Sequence, residues 1–278
     1  MEKAQTCLKG TEKNGVSGAV LKWLAIVTML IDHFGAAVFI IYTSHVHNPL
    51  GGISHADTIY MVMRGIGRTA FPIFCFLLVE GFGHTGHLAR YTIRMFVFCL
   101  LSEIPFDLAI RGKWMDVEAQ NVYWTLLLGL LAMTVLELVE KKHQGKPETE
   151  REETQNGIRE EEHAKGKEET LWSNPVFYAG ARVAVSAFFM GIAWVLRTDY
   201  DFKGVALILV LYFLRYDRNL QLVTGYLAML WEAWCFPGFL FMYFYNGKRG
   251  RQPKYFFYLF YPCHLILLYL LRIYLKNN

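Results

Sequence analysis

Residues 20–42 read VLKWLAIVTMLIDHFGAAVFIIY. The run is almost wholly apolar, broken only by Lys22 near its start and by Asp32 and His33 near its middle. About 20 apolar residues are what a helix needs to cross the hydrocarbon core of a bilayer. Ionisable groups are costly in lipid, so an Asp-His pair in such a run points into a bundle interior and marks a candidate site. Seven more runs follow, at 58–81, 91–110, 121–139, 176–197, 203–215, 220–245 and 255–275. The run 203–215 (KGVALILVLYFLR) is short, so its neighbours must enclose it or the bilayer must thin around it.

Composition agrees. The 278 residues are 54% hydrophobic and 16% aromatic but only 19% charged. The charge is also concentrated: residues 140–169 hold ten acids and seven bases. A disordered chain is excluded, and a soluble globular enzyme is disfavoured. Bases cluster at the ends of apolar runs, with no basic stripe that reads as a nucleic-acid face, so no nucleic-acid partner is expected. Cys7, Cys75, Cys99, Cys235 and Cys263 form no CxxC pair and predict neither a disulfide framework nor a zinc site. No cleavable leader and no lipid anchor are expected from the polar first 19 residues and the Lys-Asn-Asn end.

Lys and Arg in the connections set the expected topology. Lys3, Lys9, Lys13 and Lys22 place the N-terminus in the cytoplasm. Loop 43–57 has no Lys or Arg and belongs outside, whereas 82–90, 140–175 and 216–219 belong inside. The loop NGKRGRQPK (246–254) should also be inside, which requires 220–245 to return. Trp231-Glu232-Ala233 and Pro237-Gly238 interrupt that run and permit two short helices, about 220–231 and 235–245. The expectation is an all-α, polytopic transmembrane bundle of about nine helices, or eight if 220–245 crosses once. The chain divides into a polar tail (1–19), a first membrane half of four helices (20–139), a charged cytoplasmic insert (140–172), read as disordered, and a second half (173–278). A bacterial cytoplasmic (inner) membrane is the expected location.

Further charges lie inside the runs. Arg64 and Arg68 are four residues apart and share a helix face, as do Glu103 and Asp107. With Asp32, His33, Asn121, Thr125, Asp199, Asp201 and His264, they converge between the midplane and the outer end of the predicted topology. The arginines and acids alone would also suit a structural polar core that fixes helix register. The histidines add proton transfer near neutral pH, which makes His33 and His264 candidate bases. His45, His47, His55 and Asp57 share an outer loop and read more simply as a wet loop than as a metal site; no metal is expected. Arg90, Arg94, Lys248 and Arg249 form basic clusters at the cytoplasmic end, suited to anchoring topology or to gripping phosphate. No GxxxxGK[ST], GxGxxG or GxSxG motif is present.

Several segments together resemble the TraX family: LKWLAIVTMLIDHFGAAVF, RGIGRTAFPIFCFLLVEGFGHT, LLSEIPFDLAI, NVYWTLLLGLLA, DYDFKGVALILVLYFLR, YNGKRG and KYFFYLFYPCHLILLYL. The resemblance covers nearly all of the chain outside the tail and the insert. It implies an integral membrane acetyltransferase using acetyl-CoA as co-substrate. The family's founding member, in conjugative plasmids, is associated with N-terminal acetylation of pilin, so a pilin or another envelope molecule is the implied acceptor. Carried over, the matching positions are Asp32 and His33 (IDH), Arg64 and Arg68 (RGIGR), Glu103 and Asp107 (SEIPFD), Asn121 and Thr125 (NVYWT) and His264 (YPCH), and all but Thr125 form the implied catalytic set. In the mechanism this suggests, the basic clusters hold the ADP part of the co-substrate and His33 or His264 deprotonates the acceptor. Arg64 and Arg68 stabilise the oxyanion, and Glu103 and Asp107 hold the arginines. Transfer direct or through acetyl-histidine both remain open. A transporter and a non-catalytic pilus or envelope assembly factor are the competing classes. The long acidic insert and Glu232 depart from the family pattern.

Overall fold

A computed structural model describes residues 15–45, 53–144, 171–253 and 255–277. Most of the N-terminal tail and the insert, and His47, lie outside the described residues. Among those described, the protein is a helix bundle whose helices run back and forth between two ends. Helix α1 is Gly18–Phe34, continued by a π-helical turn, Gly35–Phe39, and by Ile40–His45. Helix α2 has two segments, Ile53–Gly67 and Ala70–His84; α3 is Leu88–Phe106, prolonged by a second π-turn, Asp107–Arg111. There follow α4 (Val122–His143), α5 (Pro175–Val195), α6 (Asp201–Phe213), α7 (Arg218–Ala228), α8 (Phe236–Tyr243) and α9 (Phe256–Asn277). Among the described residues, five stretches are long and apolar enough to cross a membrane: Gly18–Phe39, His55–His84, Val122–His143, Pro175–Val195 and Phe256–Asn277. This is a multi-pass membrane protein.

Local sequence sets the ends of these helices. Ser17, Asn121, Asn174 and Asp217 cap α1, α4, α5 and α7, each accepting a backbone N–H from the first turn. Pro175 opens α5, where its missing N–H costs nothing. Gly112 closes α3 with φ 69°, and its N–H bonds to the Asp107 carbonyl.

Residues 218–245 form a hairpin, as two short helices predict. The Phe239 ring lies close against Gly225 and packs at 5.7 Å from Tyr226, so α8 runs back along α7. Both ends of the hairpin meet the same end of the bundle: Arg218 pairs with Glu80 at 3.3 Å and lies over the Tyr245 ring. Beyond it, the Lys248 and Arg249 carbonyls accept the Gly18 and Ala19 N–H groups. The tip, Leu230–Cys235, is a 3-10 turn whose Trp231 ring meets Tyr200 and Lys203 at the start of α6. At 11 and 8 residues, α7 and α8 are each too short to span a bilayer, so the hairpin is re-entrant; it packs on the bundle through Gln221, Leu222, Gly225, Gly238, Phe239 and Met242 and leaves its other apolar side exposed.

Short α6 is buried by its neighbours, as required: Gly204, Val205, Leu207, Ile208, Leu209, Leu211 and Tyr212 are all enclosed. By contrast, α5 turns most of its apolar surface outward, with Val176, Val183, Phe188 and Trp194 exposed. One end of the bundle, the basic end, gathers the start of α1, the α2–α3 turn, the close of α4, the α6–α7 turn and the loop before α9. The α3–α4 and α5–α6 connections lie at the opposite end, joined there by a bridge between Gln120 and Thr198.

Candidate functional site

Two departures from regular helix shape the middle of the bundle. The π-turn Gly35–Phe39 begins just after His33, and π-turns inside helices recur at functional sites. In α9, Pro262 lacks the N–H that would bond one turn back, and His264 follows two residues later. The result brings His33 Nδ1 within 2.7 Å of His264 Nε2. The ring centres are 5.0 Å apart and the planes differ by 5°, so the rings meet edge to edge in one plane rather than face to face.

The direction of this hydrogen bond follows from its far end. His264 Nδ1 lies 2.8 Å from the Phe260 carbonyl oxygen, which can only accept, so Nδ1 carries the hydrogen. In neutral His264, Nε2 is then the acceptor, and His33 Nδ1 must donate to it. His33 Nε2 is left with its lone pair and has no hydrogen-bond partner among the described residues. Phe260 lies parallel to the His264 ring at 4.8 Å, and Tyr261 sits edge-on to both imidazoles. These contacts fix both ring planes.

The arginines are held by partners the sequence reading did not assign. Arg64 Nη1 pairs with Asp32 Oδ2 at 2.8 Å, and Arg68 Nε with Glu232 Oε2 at 3.3 Å. Glu103 and Asp107 do not hold them. Glu103 Oε2 accepts hydrogen bonds from the Asn121 amide and from Trp124 Nε1, the latter at 2.9 Å. Asp107 Oδ2 accepts the Asp116 N–H at 2.8 Å. Four-residue spacing puts the acids on one face of α3, but that face meets the start of α4 and the loop after α3 rather than α2. Asp116, in that loop, accepts the Glu118 N–H and lies beside Lys113, which together hold its carboxyl below the usual range.

Asn121 fastens α3 to α4. It is fully buried, caps α4 through the Tyr123 N–H, and donates to the Cys99 carbonyl and to Glu103. Thr125 is also buried, with its hydroxyl unpaired. Tyr200 stacks on Phe71 at 3.5 Å and hydrogen-bonds to Arg68. Asp199 is exposed and within electrostatic reach of Arg68 and Arg64. The histidine pair thus lies beside a charged cluster toward the opposite end of the bundle, formed by Asp32, Arg64, Arg68, Asp199, Tyr200 and Glu232, which we call the chamber.

A cavity of about 410 Å³ rises from the basic end. Lys22, Arg94 and Arg249 supply its cations, Thr85, Tyr91, Tyr123, Tyr245 and Tyr258 its hydroxyls, and Glu80, paired with Arg218, a carboxylate. Of the four predicted phosphate-binding residues, Arg94 and Arg249 line it. Arg90 and Lys248 are exposed and outside its lining, because Lys248 lies in the loop that caps α1 and Arg90 points outward from the first turn of α3. At the far side of the cavity, the Tyr123 ring meets Tyr261 edge-on at 5.1 Å, and Tyr261 touches both histidines. The Tyr123 and Tyr261 rings thus stand between the cavity and the histidine pair, which does not line it.

Glu232, Tyr200, Tyr261 and Lys22 escaped the sequence reading as site residues. For Glu232 the sequence carries a signal, a carboxylate within an apolar run. Among the described residues no group of three or more His, Cys, Asp or Glu is arranged to hold a metal ion.

Comparison with known proteins adds identity. A 25% identical protein of Dichelobacter nodosus, named Probable fimbrial assembly protein FimC, serogroup H1, aligns over 266 residues, covering 92% of this chain and 96% of that one. No solved structure gives a significant match. The family described as TraX protein matches residues 17–272, a span that takes in both histidines, both arginines, the hairpin and the cavity lining. The chain belongs to the TraX family.

Proposed function

We propose that this protein is a membrane acetyltransferase that takes acetyl groups from acetyl-CoA at its basic end and passes them to an acceptor reaching the chamber from the opposite end. The observation that carries this reading is the in-plane His33–His264 pair, with an open lone pair on His33 Nε2, beside the charged chamber and separated from the cavity by the Tyr123 and Tyr261 rings. The cavity suits the co-substrate by its chemistry: cations for phosphates, and tyrosine hydroxyls for the amides of a pantetheine arm.

In this reading His33 is the general base. Its Nε2 takes the acceptor's proton as the nucleophilic atom bonds to the acetyl carbon, and returns it to the departing thiolate. His264 accepts the hydrogen bond from His33 Nδ1, which strengthens as His33 becomes cationic. Arg68 faces the developing charge on the carbonyl oxygen, where low dielectric strengthens its effect. Its Nε is anchored on Glu232, which fixes the guanidinium plane. Arg64, bonded to Asp32, is more fully neutralised and serves to build the chamber. The resemblance to a fimbrial assembly protein supports a pilus-related role, with a pilin or other envelope molecule as acceptor and a bacterial inner membrane as the setting.

The test uses purified protein in nanodiscs with radiolabelled acetyl-CoA, following binding, CoA release and label retained on protein. Wild type should bind saturably and release CoA, and His33→Ala should bind but not turn over. Folded protein that fails to bind acetyl-CoA would sink the proposal. Pilus assembly that survives His33→Ala in cells would favour a non-catalytic assembly role.

A further inference from the structure

At the basic end, where α4 closes and α5 opens, cations outnumber the carboxylates facing them among the described residues. Lys141 pairs with Glu137 at 3.5 Å, and Arg215 with Glu140 at 3.7 Å. Both acids in the last turns of α4 are therefore taken. Lys142 and Arg182 have no carboxylate within ion-pair distance among the described residues. Each lies against aromatic rings instead. Lys142 Nζ is 5.2 Å from the centre of Trp172, and the Arg182 guanidinium is 5.3 Å from Tyr178 and 4.5 Å from Phe213. His143, next to Lys142, stacks on Tyr178 at 4.0 Å and ties the two cations into one patch.

The position is unusual for a charge. Arg182 lies two turns into α5, the helix whose apolar side chains are most exposed; Val176 is 78% and Val183 69% accessible. A cation on a lipid-facing helix is costly unless it reaches the headgroups or meets an anion. Tryptophan and tyrosine rings favour that same headgroup level.

We infer that this patch binds the phosphate of an anionic phospholipid. Arg182 and Lys142 hold the phosphate, Trp172 and Tyr178 flank it, and the acyl chains lie along the exposed face of α5. A zwitterionic headgroup brings its own cation and would leave the patch positive. Inorganic phosphate has no chains to cover α5. The inference does not depend on the acetyltransferase reading.

The experiment uses the full chain in detergent with phosphatidylglycerol, phosphatidylcholine or inorganic phosphate. It reads thermal unfolding and the lipid retained in native mass spectrometry. Phosphatidylglycerol should stabilise the wild type and remain bound. The double variant Arg182→Gln/Lys142→Gln should lose affinity by tenfold or more, at about 1 kcal/mol per cation near the headgroups. Lys142→Gln alone changes an exposed side chain, so it keeps the test valid should the double variant not fold; it should lose roughly fivefold. Lys276→Gln, at the opposite end, should lose nothing. Equal stabilisation by phosphatidylcholine or by inorganic phosphate would overturn the inference. Unchanged phosphatidylglycerol binding in Lys142→Gln would do the same.

Discussion

Two nitrogen atoms and one carbonyl oxygen decide what the histidines can do. Because the Phe260 carbonyl orders the proton on His264, His264 reaches His33 as an acceptor. That assigns unequal roles to two residues that the sequence left interchangeable. A side chain with an acceptor oxygen should then replace His264 better than one with none. In CoA-release assays, His264→Gln is expected to retain more activity than His264→Ala, with His33→Ala lowest of the three. The loss for His33→Ala should be on the order of 10²–10⁴-fold, the usual contribution of a general base. Equal losses for Gln and Ala at 264 would remove the relay. The sequence marked Asp32, His33, Arg64, Arg68 and His264 by one physical rule, the cost of ionisable groups in lipid. The rule does not say who pairs with whom. Asn121 and Glu103 obeyed it yet hold α3 to α4, because an N-cap and its neighbouring carboxylate meet the same need for satisfied polar groups as a reaction centre does.

At the level of elements, the site depends on close approaches and broken helices. Gly67 ends the first segment of α2 where Asp32 of α1 presses in; a Cβ there would lie 2.2 Å from the Asp32 Cβ. Gly67→Ala must push α1 and α2 apart, at about 1–3 kcal/mol for overpacking. It should also separate Asp32 from Arg64, so CoA release should fall more steeply than thermal stability. Retained activity in a destabilised Gly67→Ala protein would argue against the chamber geometry. The α7–α8 hairpin acts through Glu232. Glu232→Gln keeps shape but removes the charge that holds Arg68 Nε. It is expected to lower kcat by about tenfold with little change in KM for acetyl-CoA, as expected when a group acts on the transition state alone. A rise in KM with unchanged kcat would instead place Glu232 in binding. Hairpin position was legible from Pro237-Gly238 and the apolar run, and the burial of α6 from its length. The break in α2 is not among the expectations, although Gly67 precedes it and Pro72, which lacks the N–H that would bond the Arg68 carbonyl, follows it.

Across the whole molecule, both ends of the hairpin return to the end where α1 starts, so Asn246 and Lys142 share one side of the membrane while Trp114 and Val117 lie on the other. The alternation of basic loops anticipated this path, because it required 220–245 to come back. Which end faces the cytoplasm is a separate matter, resting on the basic clusters near Gly18. Single cysteines at 114, 117, 142 and 246 would read both questions, in a background with Cys7 and Cys263 replaced by serine; Cys75, Cys99 and Cys235 are buried. With a membrane-impermeant thiol reagent applied to intact cells, Trp114→Cys and Val117→Cys should label. Lys142→Cys and Asn246→Cys should label only after the membrane is opened. Labelling of 246 together with 114 would mean that 218–245 crosses fully, taking Glu232 away from Arg68 and Arg249 away from the cavity mouth. Labelling of 142 and 246 but not 114 in intact cells would keep the fold and invert its orientation. The cavity would then open away from the compartment that holds acetyl-CoA, and the acetyltransferase reading would fail on geometry alone, whatever the histidine variants did.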